Sequence, residues 1–207
     1  MHTIKPFMNI LKLSFVSLLA IATGWYFYNK YRVVIPPVDV SKSEIGWSAT
    51  SLSGAHTGKI KLSKAELQFK NDVLVGGMFE ADMRSITVTD ITDPEENKQL
   101  VKHISDQDFF EVEKYPTATF KITEVTRTKD DTYEVKGMMK IKDKENPVSF
   151  TTRIEKNTTS TRAAASVTVD RTLYGIEYGA KGKPGSEKDW FIFNDFLLNI
   201  NVVAAGS

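Results

Sequence analysis

The chain has 207 residues, and its 27 lysine and arginine residues almost balance its 26 aspartate and glutamate residues, so the formal net charge is +1. This balance gives no basis for a nucleic-acid partner. The absence of cysteine excludes disulfides, thiol catalysis, cysteine-based metal sites and a lipidated cysteine anchor. A hydrophobic fraction of 41% is ample for the core of one domain.

The N-terminus is strongly apolar, and residues 13–28 form an almost unbroken apolar run. Ala20-Ile21-Ala22 fits the pattern of a signal-peptide cleavage site. Aromatic residues such as Trp25 follow it, and they are typical of a membrane interface. We therefore predict a hydrophobic helix in residues 1–32, either a retained membrane anchor, which we slightly favour, or a cleaved signal. Both interpretations place the protein outside the cytoplasm, on the periplasmic side, where it is membrane-anchored or secreted.

Residues 33–40 contain two consecutive prolines and are predicted to be an extended linker. Strand patterns dominate the following domain, residues 41–205. Alternating or β-branched runs predict strands over 44–50, 55–62, 67–69, 73–89, 117–125, 133–141, 148–154, 163–169 and 190–203. Asn71-Asp72 is expected to form a hairpin turn and Gly76-Gly77 a bulge. One face of the fourth strand is predicted to carry Val73, Val75, Gly77, Phe79, Ala81 and Met83.

One helix is predicted, and it begins with Asp93 as N-cap and Pro94 at the first helical position. A single apolar stripe that includes Ile104 indicates that this helix lies on a surface. Phe109 and Phe110 follow it. Two adjacent side chains cannot both point inward from one regular element, so at least one is expected to cap a core or pocket.

The next residues return the chain to a strand, because Pro116 biases Tyr115 towards extended geometry. About eight long, even, antiparallel strands with one short helix favour a closed barrel over a sandwich. An eight-stranded barrel has room for one small ligand. Small residues at candidate inward positions would enlarge that space: Gly77, Gly137, Ala163 and Ala165.

His56 and His103 have no partners at the usual spacing of a metal site, and zinc sites need three or four protein ligands. We therefore predict no metal and no cofactor. Both histidines are expected to form hydrogen bonds at the barrel rim, and His56 is also a candidate contact for the polar end of a ligand. No nucleophile or phosphate-loop motif is present, so no catalytic residue and no enzymatic activity are predicted.

Several motifs, in this order, resemble the YceI family: Ser53–Gly58, Gly77–Ile86, His103–Phe110, Tyr115–Phe120, Asp170-Arg171 with Tyr174–Ile176, and Asp195-Phe196. The resemblance spans roughly residues 38–203. Ile104 stands where the family usually has leucine, and the pattern around Lys142 is weaker than in the family.

The resemblance implies an all-β fold, a lipocalin-like antiparallel eight-stranded barrel with one short lid helix, preceded here by the N-terminal hydrophobic helix. It also implies export and a long apolar pocket for an isoprenoid or other long-chain lipid. Such a chain needs a dry tunnel, since each buried methylene contributes about 0.8 kcal/mol. The candidate ligand contacts are His56, Phe79, Met83, Phe109, Phe110, Tyr115, Phe120, Met139 and Phe150.

Three functions stay open at this point. The first is a protein that carries or sequesters a lipid. The second is a small envelope enzyme that acts on an apolar substrate in the same cavity, with His56 as proton shuttle. The third is a structural or stress protein of the envelope with a filled barrel. The expected partners are the lipid and, through the N-terminal segment, the membrane, and a homodimer is compatible with the sequence.

Overall fold

The computed structural model describes residues 20–26, 32–183 and 190–206, and these ranges contain nine strands, a 3-10 helix and an α-helix after residue 32. The predicted N-terminal hydrophobic helix lies mostly outside the described residues. Its described part, residues 20–26, is helical. Within the described ranges, no helix has the length and apolar character needed to cross a bilayer.

The strands form a closed antiparallel barrel, as predicted. They are β1 (Val33–Val34), β2 (Glu44–Ser51), β3 (Gly54–Lys70), β4 (Val73–Val88), β5 (Thr117–Lys129), β6 (Thr132–Ile141), β7 (Lys144–Lys156), β8 (Ser160–Asp170) and β9 (Ile192–Ala205). Each strand from β3 to β8 pairs with the next one in sequence, and β2 closes the ring by pairing with both β3 and β9. The short strand β1 adds to the last two residues of β3.

The barrel has two different ends. At one, the turn end, the strands are joined by residues 71–72, 130–131 and 157–159. At the other, the lid end, two of the connections are long, residues 89–116 and 171–191. The first long connection contains the helix α1 and the second begins with the 3-10 helix.

The helix α1 (Pro94–Ser105) starts as the sequence predicts. A carboxylate oxygen of Asp93 accepts hydrogen bonds from the backbone amides of Glu95 and Glu96, which satisfies two of the unpaired donors at the helix start. Ile104, in its last turn, is buried in the core. The helix therefore covers the barrel through one apolar face, which confirms that it lies on a surface.

A bulge in β4 changes which residues face inward. Gln68 pairs with Gly76, whereas the next residue of β3, Phe69, pairs with Leu74, so Val75 is an extra residue. Leu74 is 2% exposed and Val75 is 43% exposed. The prediction that Val75 shares a face with Gly77 and Phe79 is therefore wrong, because the bulge next to the predicted Gly76-Gly77 site shifts the alternation by one residue.

The chain approaches the barrel at the turn end. Val33 pairs with Lys70, and residues 35–43 then cross this end. Asp39 donates its backbone amide to the carbonyl of Val203, and the Ser43 hydroxyl accepts from the Val203 amide. Pro36 is buried in this layer. The segment predicted as a linker thus packs against the barrel.

Candidate functional site

The barrel encloses a cavity with an empty volume of about 1460 Å³, counted with the space at its openings. It extends from Leu67 and Leu74 near the turn end to Phe109 and Ile176 at the lid end. Of the 33 described residues that line it, three carry a hydroxyl or a charge: Thr119, Thr152 and Arg171. The interior is therefore almost entirely hydrocarbon.

The buried polar groups of the lining are already bonded to the protein. Thr152 donates its hydroxyl to the carbonyl of Ala164 at 2.9 Å. The indole N–H of Trp47, also in the lining, donates to the carbonyl of Thr87 at 3.1 Å. Because a buried polar group is costly only when it lacks a partner, these residues are stable in the wall but offer little to a polar ligand.

Arg171 is a buried cation with no carboxylate within ion-pair distance among the described residues. Its guanidinium donates to four backbone carbonyls at 2.9–3.2 Å, those of Ile176, Tyr178, Ile192 and Phe193. Burial lowers the pKa of Arg171, although the nearby Asp170 acts in the opposite direction. The side chain therefore fixes the connection between β8 and β9 at the lid end. Sequence reasoning named Arg171 in a motif and did not identify this role.

Five aromatic or methionine residues predicted for the wall do line the cavity: Phe79, Met83, Phe120, Met139 and Phe150. The ring centre of Phe120 lies 5.4 Å from that of Phe150 and 6.5 Å from that of Phe79. The three rings form one continuous aromatic side of the cavity. Their contact with a ligand stays a prediction.

Ala163 and Ala165 line the cavity and leave space, as expected, but the two glycines serve another purpose. A Cβ atom on Gly137 would lie 2.4 Å from the ring of Phe120, and one on Gly77 would lie 3.2 Å from the side chain of Ile122. These positions are therefore filled by neighbouring side chains. Glycine lets Phe120 lie flat against the wall.

Phe109 and Phe110 both line the cavity at the lid end. They lie in turns after α1. The rule that two adjacent side chains of one regular element cannot both point inward therefore does not apply to them. The ring of Phe110 packs edge-on against Phe196 of β9 at 6.5 Å. The Phe pair thus links the segment after the helix to the opposite wall.

A cluster of rings joins the two long connections. The His103 ring packs edge-on against Phe109 at 5.0 Å and against Tyr178 at 4.7 Å. Tyr178 in turn contacts Trp190 at 6.0 Å. We call α1, residues 106–116 and the described residues of the second connection, 171–183 and 190–191, the lid. Sequence reasoning missed Tyr178 and Trp190, because their segment has no periodic pattern and its partners are distant in sequence.

Two predicted ligand contacts lie outside the cavity lining, His56 and Tyr115. His56 pairs with Ala49, an inward residue, so alternation places it on the inner face, but beyond the lining at the rim of the lid end. Tyr115 follows the turns after the Phe pair, and its ring lies near the ammonium groups of Lys114 and Lys142, with ring-centre distances of 5.0 and 5.9 Å. Its half-buried ring therefore lies beside two lysine ammonium groups and outside the cavity lining.

His56 forms a defined polar pair at the rim. Its Nδ1 lies 2.8 Å from a carboxylate oxygen of Asp90, and the other oxygen accepts from the Thr57 amide at 2.8 Å. Burial acts to raise the pKa of Asp90, but the hydrogen bonds from Thr57 and His56 outweigh it, so the pKa is lowered. An ionised carboxylate only accepts, so Nδ1 donates to Asp90, and Nε2 is an acceptor when the ring is neutral and a donor when it is protonated.

In the described ranges, no cluster of three or more histidine, aspartate or glutamate residues has the arrangement of a metal site. The fold and the cavity together define a class of protein, an antiparallel barrel that encloses an apolar chamber beneath a lid.

The chain belongs to the family of the YceI-like domain, whose family model matches residues 37–204. No curated protein matches the sequence.

Solved structures share the fold. The BcnA protein of Burkholderia cenocepacia is 19% identical, with a TM-score of 0.66 over 81% of this chain and 99% of its own. A polyisoprenoid binding domain from Saccharophagus degradans is 11% identical, with a TM-score of 0.60 over 85% of this chain and 100% of its own. The Campylobacter jejuni YCEI protein is 16% identical, with a TM-score of 0.55 over 70% of this chain and 81% of its own. The match covers almost the full length of the first two chains.

Proposed function

We propose that the barrel holds the chain of an isoprenoid or similar long-chain lipid and carries or sequesters it outside the cytoplasm. The observation that supports this function best is the apolar cavity, in which the side chains of Thr152 and Arg171 are bonded to the protein. Burial of a hydrocarbon chain contributes a favourable free energy of about 25 cal/mol for each Å² of apolar surface removed from water. The chain needs no polar partner inside the cavity. The binding domain from Saccharophagus degradans has the same fold and is described as binding polyisoprenoid.

The lid end is the proposed entrance. Its connections are long, and they meet through side-chain contacts such as the one between His103 and Tyr178. The turn end is closed by short turns and by the layer of residues 35–43. In this arrangement the chain lies inside with its polar end at the rim, where Nε2 of His56 accepts a hydrogen bond from it.

Export and membrane attachment belong to the same proposal. They rest on the apolar residues 1–32, which carry the pattern of a membrane anchor or signal. The N-terminal residue of the purified protein distinguishes the two, because a cleaved signal leaves a chain that starts after Ala22.

Native mass spectrometry tests the lipid directly. Protein purified from its own host should carry a mass that corresponds to a long-chain lipid, and delipidated protein should take up a polyprenol when the two are mixed. A clean mass without uptake contradicts the proposal.

Ala163→Phe narrows the tunnel and should abolish or strongly reduce uptake, because the new ring occupies space that the chain needs. The matched control is Ala164→Phe, on the exposed outer face of the same strand, which should leave uptake unchanged. Equal uptake by both variants excludes the cavity as the binding site.

In the same assay, His56→Ala should weaken uptake of a polyprenol by a few-fold and leave uptake of the corresponding hydrocarbon unchanged.

The two other functions make different predictions. A filled barrel would have side chains packed across its interior, whereas this barrel encloses an apolar cavity. An enzyme with His56 as proton shuttle would turn over a lipid, and its activity would vanish in His56→Ala while binding persisted. The enzyme is retained as the second candidate because His56 forms a defined pair with Asp90.

A further inference from the structure

Two neighbouring strands of the barrel, β7 and β8, separate towards the lid end. The ladder between them joins residues 152–156 to residues 161–165 and ends there. The ladders on either side, β6 with β7 and β8 with β9, continue to Lys144 and to Asp170. In the described structure, residues 144–151 of β7 therefore have no strand partner on the side of β8. We call this gap in the wall the seam.

A short segment closes the seam. Residues 171–176, which we call the plug, begin with the 3-10 helix, and that helix packs against both β7 and β9. On the β7 side, the side-chain amide of Asn146 donates to the carbonyl of Leu173 at 3.1 Å. A Cβ atom on Gly175 would lie 3.0 Å from the ammonium nitrogen of Lys144. The plug thus takes the place of the missing ladder.

The plug is bound more firmly to β9 than to β7. The guanidinium of Arg171 donates to the carbonyls of Ile192 and Phe193 in β9. No backbone–backbone hydrogen bond joins the plug to β7 among the described residues, so side chains make the contacts on that side. Contacts of this kind open locally at a lower free energy than a ladder does. The plug is therefore able to leave β7 while it stays attached to β9.

The closed plug buries a polar group that has no partner. Tyr174 is 1% exposed, and its hydroxyl forms no hydrogen bond in the described part of the chain. A buried hydroxyl without a partner is costly, and the cost is recovered when water reaches the group. Because an outward movement of the plug would expose the hydroxyl, this group favours opening.

The cavity lies directly behind the plug. Its lining includes Phe150 and Thr152 of β7, Ala165 of β8, and Arg171 and Ile176 of the plug. We propose that the plug swings away from β7 and that the apolar chain enters the barrel sideways, through the seam. The proposal names the part of the lid that opens, and it rests on the proposed function for the ligand that enters.

Opening of the plug is measurable without a ligand. The chain has no cysteine, so Ala165→Cys places a single thiol behind the plug, and Ala164→Cys places one on the exposed outer face of the same strand. Tyr174→Phe should slow modification at position 165 by a water-soluble methanethiosulfonate about fivefold or more, because the closed plug no longer buries an unpaired hydroxyl. The rate at position 164 should not change. Equal rates at position 165 with and without Tyr174→Phe overturn the proposal.

The same substitution separates the rate of uptake from the affinity. The probe is cis-parinaric acid, a long-chain fatty acid that fluoresces in apolar surroundings. Tyr174→Phe should slow its binding and its release by the same factor and leave the Kd unchanged, because the hydroxyl is buried in the closed protein with or without ligand. A changed Kd with an unchanged rate of binding overturns the proposal. If modification at position 165 slows but no form of the protein binds the probe, the plug opens and the proposed function fails.

Two reversible cross-links locate the passage. Asn146→Cys with Leu173→Cys, joined by a short bis-methanethiosulfonate, ties the plug to β7. The matched control, Arg84→Cys with Glu113→Cys, ties β4 to the segment after α1, where the two native side chains lie 3.7 Å apart. The first link should abolish rapid uptake of cis-parinaric acid until a reductant restores it, and the second should leave uptake unchanged. Equal effects of the two links, or slow uptake with the second link alone, overturn the proposal.

Discussion

The two ends of the barrel are built on opposite principles. At the turn end, connections of two or three residues join the strands, and backbone hydrogen bonds from residues 35–43 cover the opening. At the lid end, connections of 28 and 21 residues meet mainly through side chains, such as the rings of His103 and Tyr178. Backbone ladders open together, whereas side-chain contacts between loops open locally at a lower free energy. The difference indicates that the turn end maintains the barrel, and it supports the proposal that a ligand enters at the lid end.

The largest expected effect lies at the turn end. Leu74→Ala should lower the free energy of unfolding by about 2–5 kcal/mol, because it removes a side chain that is 2% exposed and enlarges the cavity at the turn end. Its control is the neighbouring Val75→Ala, whose side chain the bulge directs outward, with an expected change of about 0.5 kcal/mol or less. Urea denaturation measures both. If both variants lost the same free energy of unfolding, the bulge would not place Leu74 on the inner face and Val75 on the outer face.

The next effect concerns the lid end. Replacing Phe109 and Phe110 together by alanine should reduce uptake of a polyprenol more strongly than Leu74→Ala does, while it lowers stability less. Both rings line the cavity and are half-buried, so they contribute more to its entrance than to its core. Polyprenol uptake and urea denaturation, measured on the same samples, test this prediction. A collapse of stability would show that the pair is core, and the contrast between the ends would fail.

The smallest effect concerns a group buried where β8 leads into the lid. The hydroxyl of Tyr174 is buried and has no hydrogen-bond partner in the described structure, and burial raises its pKa to about 12 from an ordinary value near 10. The folded state therefore holds this proton more tightly than the unfolded state. The resulting stability is complete below pH 10 and is lost as the pH rises towards 12.

Tyr174→Phe should remove this pH dependence. At neutral pH it should also leave stability unchanged or raise it by about 1 kcal/mol, because an unpaired hydroxyl is no longer buried. Thermal unfolding of both proteins at neutral pH and above pH 10 provides the measurement. A marked loss of stability at neutral pH would mean that the hydroxyl has a partner, such as a buried water.

The sequence was informative where local chemistry decides the structure. Asn71 and Asp72 both adopt positive φ, the conformation that the predicted hairpin turn requires and that these residue types tolerate. Asp93 caps α1 because its side chain reaches amides two and three residues away. The wall residues Phe120 and Met139 follow from simple alternation along β5 and β6. Each of these predictions depends on neighbours in the chain or across one hairpin.

The sequence was less informative where one residue changes the register or where loops meet. The strand predicted over 148–154 begins at Lys144 and passes through Asn146-Pro147, because the hairpin with β6 is tighter than composition suggested. The bulge reverses the facing of Val75. The contact of His103 with Tyr178 joins two segments that share no sequence pattern, so only the closed barrel brings them together.

The position of β1 has a consequence for any tether. Because Val33 pairs with Lys70, a chain segment that precedes it leaves the barrel at the turn end. A tether formed by that segment would hold the barrel by its floor and direct the lid outward, away from the tethering surface. The proposed entrance at the lid end would then face the space beyond the tethering surface.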